Sequence, residues 1–200
     1  GHISGANAKI QMRKEIKDSY EKHYQDAMRI AKFKADSELL ALATEHAAPM
    51  IDWLEEIGVE FTDESPVLVD DHDHYSVPRT YIGKNLARSL LRPLQQELDK
   101  RIARGNLDIR LETTALNLLQ DKNKKVIGLR VKNKAGDISD FFAKTVILTT
   151  GGYGANKSMQ QQYNPKVVSA KWVGLPHATG DGIIMAKDIG AKLVNMDHLI

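Results

Sequence analysis

The stretch VILTTGGYGANKSM, residues 146–159, constrains this chain more than any other part of it. Val146, Ile147 and Leu148 run on without a polar break, the pattern of a strand buried on both faces. Gly151, Gly152 and Gly154 then supply backbone freedom where the chain turns sharply or lets another molecule come close. Asn156 is a good N-cap, and the residues after it suit a short helix up to Asn164-Pro165. Strand, glycine turn and helix in that order present backbone N–H groups to an anionic or nucleotide ligand. Any tight strand-to-helix connection wants glycine for its own sake, however, so this stretch leaves binding and simple turning both open.

A second glycine turn, Thr179-Gly180-Asp181-Gly182, also stands directly before a helical pattern. Thr179 or Asp181 is the expected cap, the helix runs to about Ile189, and Gly190 ends it. A short strand is expected near 192–195. Two such turns in one chain suit a single dinucleotide. The G-x-G-x-x-G fingerprint after a first strand is absent from these 200 residues, as is its acidic ribose partner.

Elsewhere the periodicity divides the chain at Gly105. Before it, Ile16, Tyr20, Tyr24, Ala27, Met28 and Ala31 share one helical face. Asp36 can cap a second helix that buries Leu39, Leu40, Ala43, Ala47, Met50, Ile51, Leu54 and Ile57, with Gly58 as its stop. Pro49 is expected to kink that helix or split it in two. Trp53, at helical spacing with Met50, reads as core, and His23 and His46 read as surface or boundary residues. A third helix spans about 84–104, with Pro93 as a second possible kink, and 59–82 reads as loop with at most short strands. After Gly105, LDIRLE (107–112), TALNLLQ (114–120), KVIGLRVKN (125–133) and ISDFFAKTVILTT (138–150) read as strands joined by polar turns. Val126, Leu129 and Val131 are expected on one face, or on a bulged version of it. The resulting fold class is mixed α/β: N-terminal helices, a β-meander and a buried strand of the parallel type near 144–150.

Several chemistries are excluded or left weak. With no cysteine, the chain has no disulfide, thiolate metal site or cysteine nucleophile. A net charge of +2 gives no global field toward nucleic acid. The charged turn at 122–125 has no interleaved aromatics for base stacking and reads as a hairpin tip. No apolar segment approaches the length of a membrane span. In VDDHDHYSVPRTY (69–81), His72 and His74 are two apart and would share a face of a strand, a start for a zinc site that lacks an obvious third ligand. Arg79, fixed after Pro78, is placed to meet a carboxylate of a ligand or of the protein itself.

Four motifs occur in order: SGANA (4–8), HAAPMIDWLEEIGVEF (46–61), TVILTTGGYGANKSM (145–159) and ATGDGIIMAKDIGAKLV (178–194). Together they resemble the FAD-binding flavoproteins of the fumarate reductase and flavocytochrome c family. That family includes urocanate reductase and, more distantly, 3-ketosteroid dehydrogenases and L-aspartate oxidase. The resemblance implies FAD as cofactor, with Ser4, Gly5 and Asn7 beside the flavin ring and the Ala115 backbone at the adenine end. It implies that Thr150, Gly151 and Gly152, and Thr179, Gly180 and Asp181, form the two turns that approach the cofactor. Ala6 stands where relatives often carry methionine or glycine.

The resemblance further implies that residues 1–200 are the central part of an FAD-binding domain. The first nucleotide-binding strand and the downstream capping and catalytic region would then lie elsewhere. The reaction implied is hydride transfer between flavin N5 and the C=C bond of a fumarate-like enoate, with a separate electron donor and no catalytic residue among these positions. A non-catalytic binding or assembly module derived from such a flavoprotein is the alternative. These residues by themselves are expected to fold, to hold little or no FAD and to associate as a dimer. Cytoplasm and cell envelope both stay open.

Overall fold

Helical spacing governs the chain up to Gly105, strand alternation takes over beyond Glu112, and the architecture follows that division. A computed structural model describes residues 2–69 and 73–197. The chain separates into two compact units, Gly1–Ile109 and Arg110–Ile200.

In the first unit, β1 (His2–Ser4) pairs antiparallel with β2 (Thr80–Ile82), Ile3 opposite Tyr81 and Ser4 opposite Thr80. Among the described residues four helices accompany this ribbon: α1 (Lys9–Arg13), α2 (Tyr20–Ile30), α3 (Ser37–Glu56) and α4 (Arg88–Ala103). The Ser19 hydroxyl accepts from the Lys22 N–H at 3.3 Å and sets the start of α2, so Ile16 falls outside the expected helix. Asp36 caps α3 as expected, accepting from the N–H groups of Glu38 and Leu39 at 3.1 and 3.0 Å. At its other end Gly58 takes φ +100°, and the Val59 N–H reaches back to the Leu54 carbonyl at 2.9 Å. That is the glycine-closed helix end, in which only a residue tolerant of positive φ fits.

Two expectations about α3 need correction. Of the two outcomes expected at Pro49, the split does not occur: one helix runs from Ser37 to Glu56. Pro49 and Glu45, whose carbonyl loses its usual donor, are both exposed, so water can take the vacant bond. Trp53 is 42% exposed rather than core, and Leu39 and Met50 are exposed with it. The helix is apolar on two neighbouring stripes, and the unit covers only the one carrying Thr44, Ala47, Ile51 and Leu54. Ile51 joins Ala8, Ile10 and Tyr81 in the core, with Ile3, Ala48 and Phe61 packed around them. Full burial of such an aliphatic chain contributes roughly 1.5–3 kcal/mol. Residues 59–82 hold β2 and two isolated bridges, Phe61 to Gly83 and Val67 to Thr80, as a loop with short strands should.

The second unit contains the meander. β3 (Thr113–Gln120), β4 (Val126–Asn133) and β5 (Ile138–Phe142) pair antiparallel in that order. At the first hairpin, Asp121 Oδ1 accepts from the N–H groups of Asn123 and Lys125 at 2.8 and 3.0 Å, which makes the charged turn a hairpin tip. The register slips at Leu116 and again at Ile127, and Leu118 and Val131 are buried despite the slips. α5 (Lys157–Tyr163) and α6 (Asp181–Asp188) follow, and α6 packs against β3.

Three expected strands are not formed among the described residues: 107–112, 144–150 and 192–195 carry no ladder. The run before the glycine turn is the instructive case, because Ile147 is 80% exposed and Leu148 41%. An apolar strand covered on both faces requires neighbours along both edges, and no described residue pairs with it. The mixed helix-and-meander class stands; the buried strand within it does not. No helix among the described residues is long and apolar enough to cross a membrane.

Candidate functional site

The two glycine turns meet. The Gly180 N–H donates to the Gly152 carbonyl at 3.1 Å, and the Ala155 N–H donates to the Ala178 carbonyl at 2.9 Å. Asn156 ties them a third time: its Oδ1 accepts from the Met159 N–H at 3.0 Å, capping α5, while its Nδ2 donates to the Thr179 carbonyl at 2.8 Å. The capping role was legible from the sequence, whereas the bond to Thr179 was not, since it spans 23 residues.

The glycines of this region fall into two kinds. A Cβ on Gly154 would lie 2.1 Å from the Trp172 ring, and one on Gly182 would lie 2.2 Å from Thr150 Oγ1. Gly180 has φ +81° and would carry a Cβ only 2.5 Å from Met159 Sδ. These three are glycine because neighbours of the same unit press on them. Gly151 and Gly152 differ: both are exposed, and nothing lies within 4 Å of where a Cβ would stand. Gly151, at φ +76°, is further confined to a backbone conformation that side chains disfavour. Two adjacent glycines with open faces let a ligand reach the backbone, and the preceding Thr150 is exposed as well. This arrangement fits the approach of a flat, polar cofactor such as FAD.

Trp172 was not singled out from the sequence. Its ring lies between Gly154 and Gly174, and its Nε1 donates to the Leu175 carbonyl at 2.9 Å. Gln160 is also buried here, donating from Nε2 to the Gly154 carbonyl at 2.6 Å. The expected helix cap is a correction: Gly180 occupies the N-cap position of α6 without a side-chain bond, and Thr179 Oγ1 bonds instead to Asp181 Oδ2 at 3.0 Å. Gly180 holds that place because the left-handed conformation is needed there. Asp181 sits in the first turn, where its charge complements the helix dipole. Ala115 pairs with Val131 beside the Leu116 bulge, on an edge strand of the meander.

In the first unit, Ser4, Gly5 and Asn7 take three different roles. Ser4 Oγ and Thr80 Oγ1 are 3.1 Å apart. Gly5 is buried against α3, where a Cβ would lie 2.4 Å from Ile51 Cδ1. Asn7 is exposed at φ +72°, between the buried Ala6 and Ala8.

Arg79 does meet carboxylates, and they are the protein's own: Asp18 and Asp26, both at 2.8 Å. His23 joins this cluster, edge-on to Tyr75 at 5.4 Å, and is buried, where the sequence suggested a surface or boundary place. Its Nδ1 has no hydrogen-bond partner among the described residues. Burial, aided by the Arg79 charge, lowers its pKa from 6.5 to about 4, so the ring is neutral. Burial by itself would raise the Asp26 carboxyl, but bonds from Ser76 and the Arg79 charge hold it below the usual range. Of the His72 and His74 pair, His72 lies outside the described residues, and no group of three or more His, Asp or Glu that could hold a metal ion occurs among those described.

Comparison with known proteins identifies the family. A family model for the FAD binding domain matches residues 1–200. The urocanate reductase of Eggerthella lenta is 34% identical over 212 residues, covering 100% of this chain and 32% of that protein. A Shewanella frigidimarina protein named "Probable fumarate reductase Ifc3" is 29% identical over 199 residues, covering 98% of this chain and 32% of its own length. The solved open conformation of a flavocytochrome c3 fumarate reductase matches with a TM-score of 0.84 at 28% identity, over 95% of this chain and 33% of that one. The chain thus spans about a third of the length of the curated relatives it matches. With the family model covering every residue, the chain belongs to the FAD binding domain family, whose cofactor is FAD.

Proposed function

We propose that these 200 residues are the FAD-binding portion of a longer flavin-dependent reductase that acts on the C=C bond of a fumarate-like enoate. The observation that carries the reading is the junction of the two turns, where Gly152 bonds Gly180 while Gly151 and Gly152 keep open faces. The named activities of the relatives, fumarate and urocanate reduction, favour an unsaturated carboxylate as substrate. When bound, FAD supplies the hydride-carrying N5.

The chain's own residues bind and orient. Thr150, Gly151 and Gly152, together with Thr179, Gly180 and Asp181, would hold the cofactor through the paired turns. Ala115 would offer its edge-strand backbone to the adenine end. Ser4, Gly5 and Asn7 would lie along the flavin ring. Asn156 keeps the two turns in register, and Trp172 holds the loop before the second turn on Gly154. No residue here is assigned a proton or a substrate carboxylate; those tasks belong to the capping and catalytic region of the longer protein. That protein would also supply the first nucleotide-binding strand and meet an electron donor.

The longer protein should purify with one FAD per chain and reduce fumarate or urocanate with an artificial electron donor. A protein that neither carries nor takes up FAD, judged by its visible absorption, would overturn the reading. FAD uptake without reduction of any enoate would overturn the substrate class alone.

A further inference from the structure

The polar centre of the first unit is a guanidinium with no access to solvent. Arg79 is 0% exposed, and its Nε and Nη2 donate to Asp18 Oδ2 and Oδ1 at 2.9 and 2.8 Å. Its Nη1 donates to Asp26 Oδ2 at 2.8 Å. The forked pairing is strong, yet a buried ion pair repays little more than its own desolvation and is a poor device for stability alone.

What this cluster grips is residues 4–8. The Arg79 carbonyl accepts from the Gly5 N–H at 3.0 Å. Gln11, also 0% exposed, makes the second connection. Its Nε2 donates to Asp18 Oδ2 at 3.0 Å and to the Pro78 carbonyl at 2.8 Å, and its Oε1 accepts from the Asn7 N–H. Both amide protons are engaged by acceptors, so the oxygen has one orientation left, toward Asn7. Flipping the amide would set N–H against N–H. Asn7 is the residue that needs such a hold: it carries φ +72° without being glycine and is exposed between buried neighbours.

We propose that Gln11 is a positioning residue: oriented by the Arg79–Asp18 pair, it fixes the left-handed backbone of Asn7 and thereby presents the Asn7 carboxamide to the polar edge of the flavin ring. This rests on the reading that residues 4–8 face the flavin. A carboxamide both donates and accepts, which matches the mixed carbonyl and N–H edge of an isoalloxazine. Arg79 and Asp18 then act through Gln11 rather than on the cofactor.

The test uses the longer flavoprotein with Gln11→Met, Asn7→Ala and the double variant. Gln11→Met should raise the Kd for FAD about tenfold and shift the long-wavelength absorption band of the flavin that still binds. Asn7→Ala should do the same, and the double variant should be no worse than Asn7→Ala by more than about twofold. Leu54→Ala, which removes a buried side chain of the same unit from outside the Ala8, Ile10, Ile51 and Tyr81 cluster, should lower stability without moving the band. Should Gln11→Met not fold, amide exchange in the unaltered protein decides: the Asn7 N–H should be protected despite the residue's exposure, and rapid exchange overturns the proposal. A normal Kd and band in Gln11→Met, or additive losses in the double variant, overturn it too. If Asn7→Ala itself leaves FAD binding and the band unchanged, the placement of residues 4–8 at the flavin fails, and the proposal fails with it.

Discussion

Residues 4–8 in the first unit and residues 145–152 in the second are built from the same materials, small and apolar residues with glycine, and end in opposite conditions. The first segment is closed in: Gly5 lies against Ile51, Ala6 and Ala8 are buried, and the free N–H groups of Gly5 and Asn7 find Arg79 and Gln11. The second is tied at its end, by the Gly180 bond, but its apolar run is bare and its two glycines face open space. A glycine pressed by neighbours reports packing. On the function proposed above, a glycine with an open face beside a bare apolar run is where a partner from outside the unit would lie.

The largest effect should come from opening the closed segment. Arg79→Met leaves Asp18 and Asp26 buried without their cation, and we expect a loss of about 3–5 kcal/mol, enough to collapse the urea midpoint. Ile147→Ser, on the bare run, should stay within about 0.5 kcal/mol in the 200-residue chain. Equal losses in both would erase the contrast.

A finer version compares two glycines of one turn. Gly154→Ala should cost about 1–3 kcal/mol and alter the near-ultraviolet dichroism of Trp172, whose ring occupies the space of the new methyl. Gly152→Ala should cost under about 0.5 kcal/mol, because nothing stands in the way. Matching melting temperatures for the two variants would contradict the division into pressed and open glycines.

The third test is acid. His23 is held neutral down to about pH 4, while in the unfolded chain it takes up a proton near pH 6.5. The unfolded state therefore binds more protons between those values, and stability falls as the pH drops from 6.5 toward 4, by at most about 1.4 kcal/mol per unit. The paired carboxylate Asp26 acts lower, losing its contribution only as the pH falls below the ordinary aspartate range. His23→Gln should flatten the profile between pH 6.5 and 4, and an unaltered slope in that variant would remove His23 from the polar centre.

Where the sequence was legible, the decisive partner was close in the chain. Asp36 capping the helix that follows it, Gly58 closing α3 and the charged turn forming the first hairpin tip are all local, and all were expected. Where the partner is remote, residue type alone was insufficient. Arg79 announced a carboxylate, but Asp18 and Asp26 lie 61 and 53 residues away. His23 gave no sign of burial, which is imposed by the same distant contacts. Trp53 has the spacing of a core residue on a helix with more apolar surface than its unit covers. Residues 145–150 have the composition of a covered strand, yet composition does not supply the neighbours. For the site, both turns were visible as glycine clusters before helices. That they share one ligand was an expectation, whereas the bond from Gly180 to Gly152 that joins them is a tertiary fact no local pattern carries.

The open face of Gly152 is the most direct place to test whether FAD lies against this turn. The measurement is a titration of FAD into the apo form of the longer protein carrying Gly152→Val, with the thermal unfolding of the same apo protein recorded alongside. A β-branched side chain in that open space should raise the Kd by about tenfold or more while the apo melting temperature stays within a few degrees of the unaltered protein. An unchanged Kd in the folded variant would contradict the placement of the cofactor at this turn.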